Sequence, residues 1–304
     1  MNLPLSGPSA SRRILLGCLI AALTAASVAA QVVPADWHLE RVDATLPLRD
    51  LQEVAVSNPF GDLRVRAGDA GELYWLAHTQ RAQADPRRFE VVLEPPSGAE
   101  PAALRVHLSG SPEGTSDTAE PESWNARRAD LTVFVPKAVL LHATTTDGLL
   151  EIRGVPRIGR LRTERGELRV RAGAPIEAHS QHGEVLIQLP RMPRGSTVKM
   201  SSTTSPITVE VPGSQDFAAR LQSRGRFTTD FSIDIERDPR SALKVGRVQT
   251  SSTASDIASL VLESFQGSLS LLVSPVDWSD PEPLDPPADL EPQAVPQTGQ
   301  GASP

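Results

Sequence analysis

The densest metal-ligand pattern in the chain is His179-Ser180-Gln181-His182, flanked by Glu177 and Glu184. Imidazole and carboxylate donors suit zinc, but a site needs several ligands converging on one point. No second cluster in the sequence completes this one. Both histidines are expected to point outward, so the pattern reads as solvent-facing structure and no metal or other cofactor is expected. Acid–base chemistry comes next, because some β-helices cleave acidic polysaccharides with paired carboxylates or an arginine base in a groove. Asp147, Glu151, Glu164, Glu167 and Glu184 supply acids, yet they fall at expected corners and outward strand sites, where solvated faces are the plain reading. Serine, histidine and aspartate are plentiful, but none sits in a Gly-x-Ser-x-Gly turn between strand and helix, so no catalytic residue is assigned.

One stretch departs from the rest in charge. Arg153, Arg157, Arg160, Arg162, Arg165, Arg169 and Arg171 stand against Glu151, Glu164 and Glu167, in a chain whose formal net charge is −7. The overall acidity opposes general nucleic-acid binding, so no nucleic acid is expected as a partner. Long arginine side chains can splay into water or pair with nearby glutamates. The sharper reading is an anion-binding stripe made by Arg153, Arg169 and Arg171, since guanidinium groups offer paired donors in a plane to carboxylate and phosphate.

These side chains must be positioned by strands. Helical periodicity is almost absent, and runs such as Leu63-Arg64-Val65-Arg66, Phe89-Glu90-Val91-Val92-Leu93 and Leu131-Thr132-Val133-Phe134-Val135 alternate as strands do. One template recurs: apolar residues seven and five before a glycine, a Ser, Thr or Asn three before it, and apolar residues two and four after it. Around Gly148 it reads Leu141, Ala143, Thr145, then Leu150, Ile152. Gly61, Gly183 and Gly267 match fully. Gly166 has Gly159 at the first apolar site, Ser205 replaces the glycine in another copy, and Gly225 is degenerate. The spacings of 18 residues from Gly148 to Gly166 and 17 from Gly166 to Gly183 leave room for two short strands and two turns.

Turn chemistry decides how those strands connect. A two-residue hairpin needs positive φ at both central positions, which Asn-Gly-like pairs supply. Here the pairs are Pro59-Phe60, Thr146-Asp147, Glu164-Arg165, Gln181-His182 and Phe265-Gln266, and proline cannot adopt positive φ. A five-residue bulged loop would set Leu161 beside Arg169 on one face, mixing core with solvent. A β-arc remains, in which the chain turns a corner and the two strands face each other across a core. Stacked arcs make a solenoid. The glycine supplies a permissive corner, and the Ser, Thr or Asn caps a turn amide and stacks on its counterpart one coil away. Registering the copies puts Arg153 and Arg171 at equivalent outward positions.

The flanks are of another kind. Arg12 and Arg13 precede an apolar run from Ile14 to Ala30, ending Val28-Ala29-Ala30 before Gln31, which reads as a signal peptide cleaved after Ala30. Ser11-Arg12-Arg13-Ile14-Leu15-Leu16 approximates a twin-arginine signal. Leu15-Leu16-Gly17-Cys18 has lipoprotein residue types but lies too early in the apolar run. Cys18 is the one cysteine, so the chain after Ala30 has no thiol and must be held by packing. No later apolar run is long enough to span a membrane. Residues 274–304 hold eight prolines, six acids and no Lys or Arg, a composition expected to be disordered, as is the loop 111–125. The expected organisation is a leader at 1–30, an N-terminal cap segment at 31–49, an all-β single-stranded β-solenoid at 50–273 and the acidic tail.

The residues Leu131-Thr132-Val133-Phe134-Val135-Pro136 and Leu141 to Ile152, with the Gly166 and Gly183 copies, resemble a bacterial β-strand-repeat family of unknown function, whose members are described as candidate adhesins. The resemblance spans about Val54 to Val273 and is strongest from Leu131 to Leu189. It implies an extracytoplasmic β-helical fold without a known active site, and it carries no functional residue over. The chain departs after Gly183, where Pro190, Met192 and Pro193 lengthen one coil. The expectation is a non-enzymatic binding or structural module, periplasmic or at the cell surface, whose partner is an anionic envelope polysaccharide, lipopolysaccharide or another envelope protein. The alternatives are a carbohydrate-active β-helix, lyase or hydrolase, acting on acidic glycans, and a scaffold for another envelope protein.

Overall fold

The computed structural model describes residues 37–47, 51–68, 71–83, 85–98, 100–109, 127–173, 175–237, 242–251 and 256–275. The leader, the loop 111–125 and nearly all of the tail lie outside the described residues. Among the described residues strands joined by turns and loops make up the chain, without helix. The strands are β1 (Trp37–Pro47), β2 (Glu53–Asn58), β3 (Leu63–Gly68), β4 (Glu72–Ala82), β5 (Arg88–Glu94), β6 (Ala102–Ser109), β7 (Arg127–Pro136), β8 (Leu140–Thr145), β9 (Leu150–Arg153), β10 (Ile158–Thr163) and β11 (Leu168–Arg171). They continue as β12 (Ile176–Ser180), β13 (Val185–Gln188), β14 (Thr197–Ser202), β15 (Ile207–Val211), β16 (Phe217–Ser223), β17 (Phe227–Thr229), β18 (Asp234–Arg237), β19 (Lys244–Gln249), β20 (Ala258–Ser264) and β21 (Leu269–Val273).

They form two mixed sheets. One has ten strands in the order β1-β4-β7-β3-β9-β11-β13-β15-β21-β17, and the other has eleven in the order β18-β19-β16-β20-β14-β12-β10-β8-β2-β6-β5. From β8 to β15 the chain crosses to the opposite sheet at every template corner, and each strand pairs in parallel with the next strand of its own sheet. Template positions therefore stack: Leu150, Leu168, Val185 and Ile207 run across one sheet, and Ile176 and Val198 across the other. All six are buried between the sheets. Alternation is the cause, because a strand that sends every second side chain inward puts the template's apolar pairs into one core.

The corners explain the invariant parts of the template. Asn58, Thr145, Thr163, Ser180, Ser202, Ser264 and Ser223 are all buried and share one line up the stack. Thr145 Oγ1 donates to the carbonyl of Asn58 at 2.8 Å, and the Gly267 amide donates to Ser264 Oγ at 2.8 Å. Ser202 Oγ donates to Ser264 Oγ, also at 2.8 Å. These bonds satisfy turn groups that would otherwise be buried unpaired. Gly148 has φ of 98°, and a Cβ there would stand 2.6 Å from the Gly61 carbonyl carbon and oxygen. On Gly166 a Cβ would run into the Gly148 carbonyl. At Gly148 and Gly166 the neighbouring corners lie too close for any side chain.

Two departures from the template acquire reasons. In the Gly166 copy the first apolar site is filled by Ile158 rather than Gly159, because β10 shifts register against β8 between Ile158 and Leu161. The bulge places Gly159 under the ring of His142, whose Nε2 lies 2.6 Å from Glu53 Oε1 and whose Nδ1 accepts the Arg160 amide at 3.0 Å. A side chain at 159 would displace that ring. The second departure concerns order in space. The β2/β3 pair sits between β6/β7 and β8/β9, and the C-terminal β20/β21 pair sits between β14/β15 and β16/β17. Antiparallel strands finish the stack, β4 and β1 beyond β7, β5 beyond β6, and β19 and β18 beyond β16. Nothing in a tandem repeat predicts these insertions.

Candidate functional site

The outer face of the ten-stranded sheet carries the candidate arginines. Leu150, Ile152, Leu168 and Val170 point into the core, so the residues between and after them point out. Parallel register then sets Arg66, Arg153 and Arg171 in one row across β3, β9 and β11, and Arg64, Glu151 and Arg169 in the row before it. Neighbouring strands are about 4.8 Å apart, so guanidinium groups of one row can reach a common ligand. Arg153 and Arg169 have about half of their side-chain surface exposed (51% and 49%).

Glu151 sits at the centre and is 5% exposed. Arg66 Nη2 donates to its Oε2 at 2.5 Å, Arg153 ion-pairs with its other oxygen, and Arg64 Nε lies 4.0 Å away. Burial by itself would push this carboxyl up, but the hydrogen bond and charge of Arg66, followed by the charge of Arg153, outweigh burial and hold the pKa below the ordinary carboxylate value. Glu151 is thus an ionised spacer among arginines, not a proton donor. Arg169 pairs with Glu167, accepting no proton but donating from Nη2 at 3.0 Å. Asp62 extends the network, receiving Arg64 at 2.7 Å, Arg128 at 2.9 Å and the Leu149 amide at 3.0 Å. Beyond β11 the rows continue as Leu186 and Gln188, where the basic character ends.

The arrangement can hold carboxylate or phosphate by charge and paired donors. Arg64 and Arg66 were not singled out in the sequence. Their place in the Gly61 copy made them outward, but only the placement of β3 against β9 makes them neighbours of Arg153.

The remaining arginines of the sequence cluster go elsewhere. Arg160 and Arg162 lie on β10 in the other sheet, Arg160 Nε 4.0 Å from Glu177, while Arg165 grips Asp147 at a corner, donating from Nε at 2.7 Å. The His179 and His182 pair also separates: the His179 ring shares a hydrogen bond with Ser201 Oγ at 2.9 Å, and His182 one with Thr204 Oγ1 at 2.9 Å. Partial burial, then the charge of Arg162, lowers the His179 pKa below its ordinary value. Among the described residues no group of three or more His, Cys, Asp or Glu is poised to share a metal ion. No helix among them is long and apolar enough to cross a membrane.

No known family profile matches the chain, and no curated protein matches it. Among solved structures, it is similar to a "putative cell adhesion protein" from Clostridium sporogenes, with 10% identity over 77% of this chain and 100% of the other, at a TM-score of 0.47. It is also similar to a "putative adhesin" from Bacteroides fragilis, with 11% identity over 77% of this chain and 97% of the other, at a TM-score of 0.28. Scores this low carry nothing to the chain's role, which rests on its own residues.

Proposed function

We propose that residues 50–273 are a β-solenoid acting as a non-enzymatic binding module of the bacterial envelope, exported by the leader to the periplasm or cell surface. Its proposed ligand is an anionic envelope polymer, acidic polysaccharide or lipopolysaccharide, engaged by Arg153, Arg169 and Arg171 with Arg64 and Arg66 beside them. The solenoid reading is supported by the parallel, sheet-alternating course from β8 to β15 with its buried corner ladder. The observation that carries the binding reading is the shared register of Arg66, Arg153 and Arg171 on three adjacent strands. Their repeat along the stack matches a ligand that repeats, and charge-assisted paired bonds to its acidic groups supply the affinity. Neighbouring Glu151 and Glu167 already engage Arg153 and Arg169, so an incoming polymer shares these arginines with carboxylates of the protein itself. Binding should therefore be modest per site and steeply salt-sensitive, with exposed charges screened beyond about 10 Å at 0.1 M.

The test is retention of the mature chain on immobilised lipopolysaccharide and on an acidic glycan, across a salt series. The double variant Arg153→Ser/Arg171→Ser should lose retention while still melting cooperatively, at a midpoint lowered only by the lost ion pair between Arg153 and Glu151. Retention that survives both that change and high salt would point to an apolar or protein partner instead. Release of shortened or unsaturated sugar products would favour the lyase or hydrolase reading.

A further inference from the structure

We propose that β1 is a contact by which two copies of this chain pair, edge to edge and antiparallel, about a two-fold axis at Val42. The starting observation is that β1 ends the ten-stranded sheet. It pairs with β4 along its whole length, from Trp37 against Ala82 to Pro47 against Glu72, and no strand among the described residues pairs with its other edge. Eleven residues of strand edge present a row of backbone donors and acceptors, the template on which another strand adds. The edges at the far end of the stack are short by contrast, three residues in β17 and four in β18.

The side chains then select the occupant and the register. In an antiparallel pair the residues opposite each other share a face, so a two-fold dimer of β1 must centre on a residue. Centring on Val42 overlaps all eleven residues. That full-length register also places Arg41 of each copy opposite Asp43 of the other, giving two symmetric opposite-charge pairs. Within one chain Arg41 Nε and Asp43 Oδ1 are 3.9 Å apart and about half exposed, leaving both available to a facing strand. Elsewhere in this register Leu39 faces Thr45, Trp37 faces Pro47, His38 faces Leu46 and Glu40 faces Ala44, with no like charges opposed. Moving the axis one residue toward the amino end opposes Arg41 to Arg41, and one residue the other way opposes Asp43 to Asp43. Both are penalised.

Two exposed apolar side chains fit the same arrangement. Leu39 is 72% exposed and Val42 37%, and pairing would set Leu39 against the methyl of the facing Thr45 and Val42 against its own counterpart. β5 is the other edge of comparable interest, but its Glu94 is already engaged by Arg105 at 2.8 Å and lies 3.6 Å from His107, which a second strand would disturb. A two-fold axis perpendicular to the sheet keeps the outer faces of both copies on one side. The dimer would therefore present two basic faces together, although its existence does not depend on what those faces bind.

Sedimentation velocity of the mature chain over a concentration series tests the pairing. The wild type should show a monomer–dimer equilibrium. Arg41→Asp sets acids opposite acids at both positions, and Asp43→Arg sets arginines opposite arginines, so each variant alone should dissociate about tenfold more readily or worse. An equimolar mixture of the two should recover the dimer, because one strand is then doubly acidic and the other doubly basic at the facing positions. Circular dichroism and melting temperature of the two variants check that they remain folded, since both sites are surface positions. A wild type that stays monomeric would overturn the proposal, whether or not another segment of the chain covers β1. So would variants that dimerise as the wild type does, which would place the contact at another edge, or a mixture that fails to recover the dimer.

Discussion

Strands β10 to β13 find every ladder partner one repeat away, whereas β2/β3 and β20/β21 pair with segments far off in sequence. Leu161 lies beside Ala143 and Ala178, but Val54 lies beside Leu141, and Val198 beside Leu260. The central coils close short loops and can assemble by adding one coil to the last. At the C-terminal end the chain leaves a gap that β20/β21 fill, and at the N-terminal end it lays β6/β7 on one side of β2/β3 before returning to the other side with β8/β9, so both ends carry a larger loop-closure cost and a higher contact order. Backbone spacing at the corners forbids change in both regions, at Gly61 and Gly267 as at Gly166; the ends need a distant strand as well.

The largest expected effect comes from removing that distant strand. A chain ending at Ser251 lacks β20 and β21, which lie between β14/β15 and β16/β17, and Leu260, Leu262, Leu269 and Leu271, all fully buried, go with them. Each such side chain contributes roughly 1.5–3 kcal/mol on burial. Limited proteolysis and far-ultraviolet circular dichroism should show an unfolded or aggregated chain; a cooperative melt near that of the full body would mean the ends are dispensable.

Corner spacing comes next. Gly166→Val drives a branched side chain into the Gly148 carbonyl and should cost about 3 kcal/mol in urea denaturation. Gly71→Ala is the matched control near an end: φ there is 90°, but no atom stands within 4 Å of the new Cβ, so about 1 kcal/mol of backbone strain is expected. Equal costs at the two positions would refute the argument from coil spacing.

Glu151→Gln sharpens the comparison from the electrostatic side, because it lies where a central strand meets β3. Loss of its charge-assisted bonds should cost about 2 kcal/mol near neutral pH. The sign with pH follows from its lowered folded pKa: the wild-type contribution is complete above the ordinary carboxylate range and is lost as pH falls through the folded value. Melting curves of wild type and variant should therefore converge on acidification. Curves that stay parallel would show that Glu151 has no stabilising charge contact.

The smallest effect is expected from deleting residues 276–304. That segment has few large apolar residues, set among prolines and acids, so the melting temperature should stay within about one degree. A large drop would give the ends a further distant partner.

Much of the central architecture was legible in the residues themselves. Alternation marked Leu141, Ala143, Leu150 and Ile152 for the core; the glycine marked the corner; and the hydroxyl three residues earlier marked its cap. Each is a preference expressed within a few residues of the chain, through side-chain alternation, permitted φ and local hydrogen bonding. The same logic put Arg153 and Arg171 at equivalent outward sites, because consecutive copies of one repeat stack when their intervals match. Tertiary structure decided what no local preference contains: that β2/β3 and β20/β21 enter between other coils, that β10 shifts register so that Ile158 and not Gly159 fills its coil, with Gly159 under the His142 ring, and that Arg64 and Arg66 close around Glu151. The reason is physical. A strand edge accepts any strand of suitable pattern, so neighbours are chosen by the balance of burial, charge and loop closure over the whole chain, and that balance is not written in any one segment.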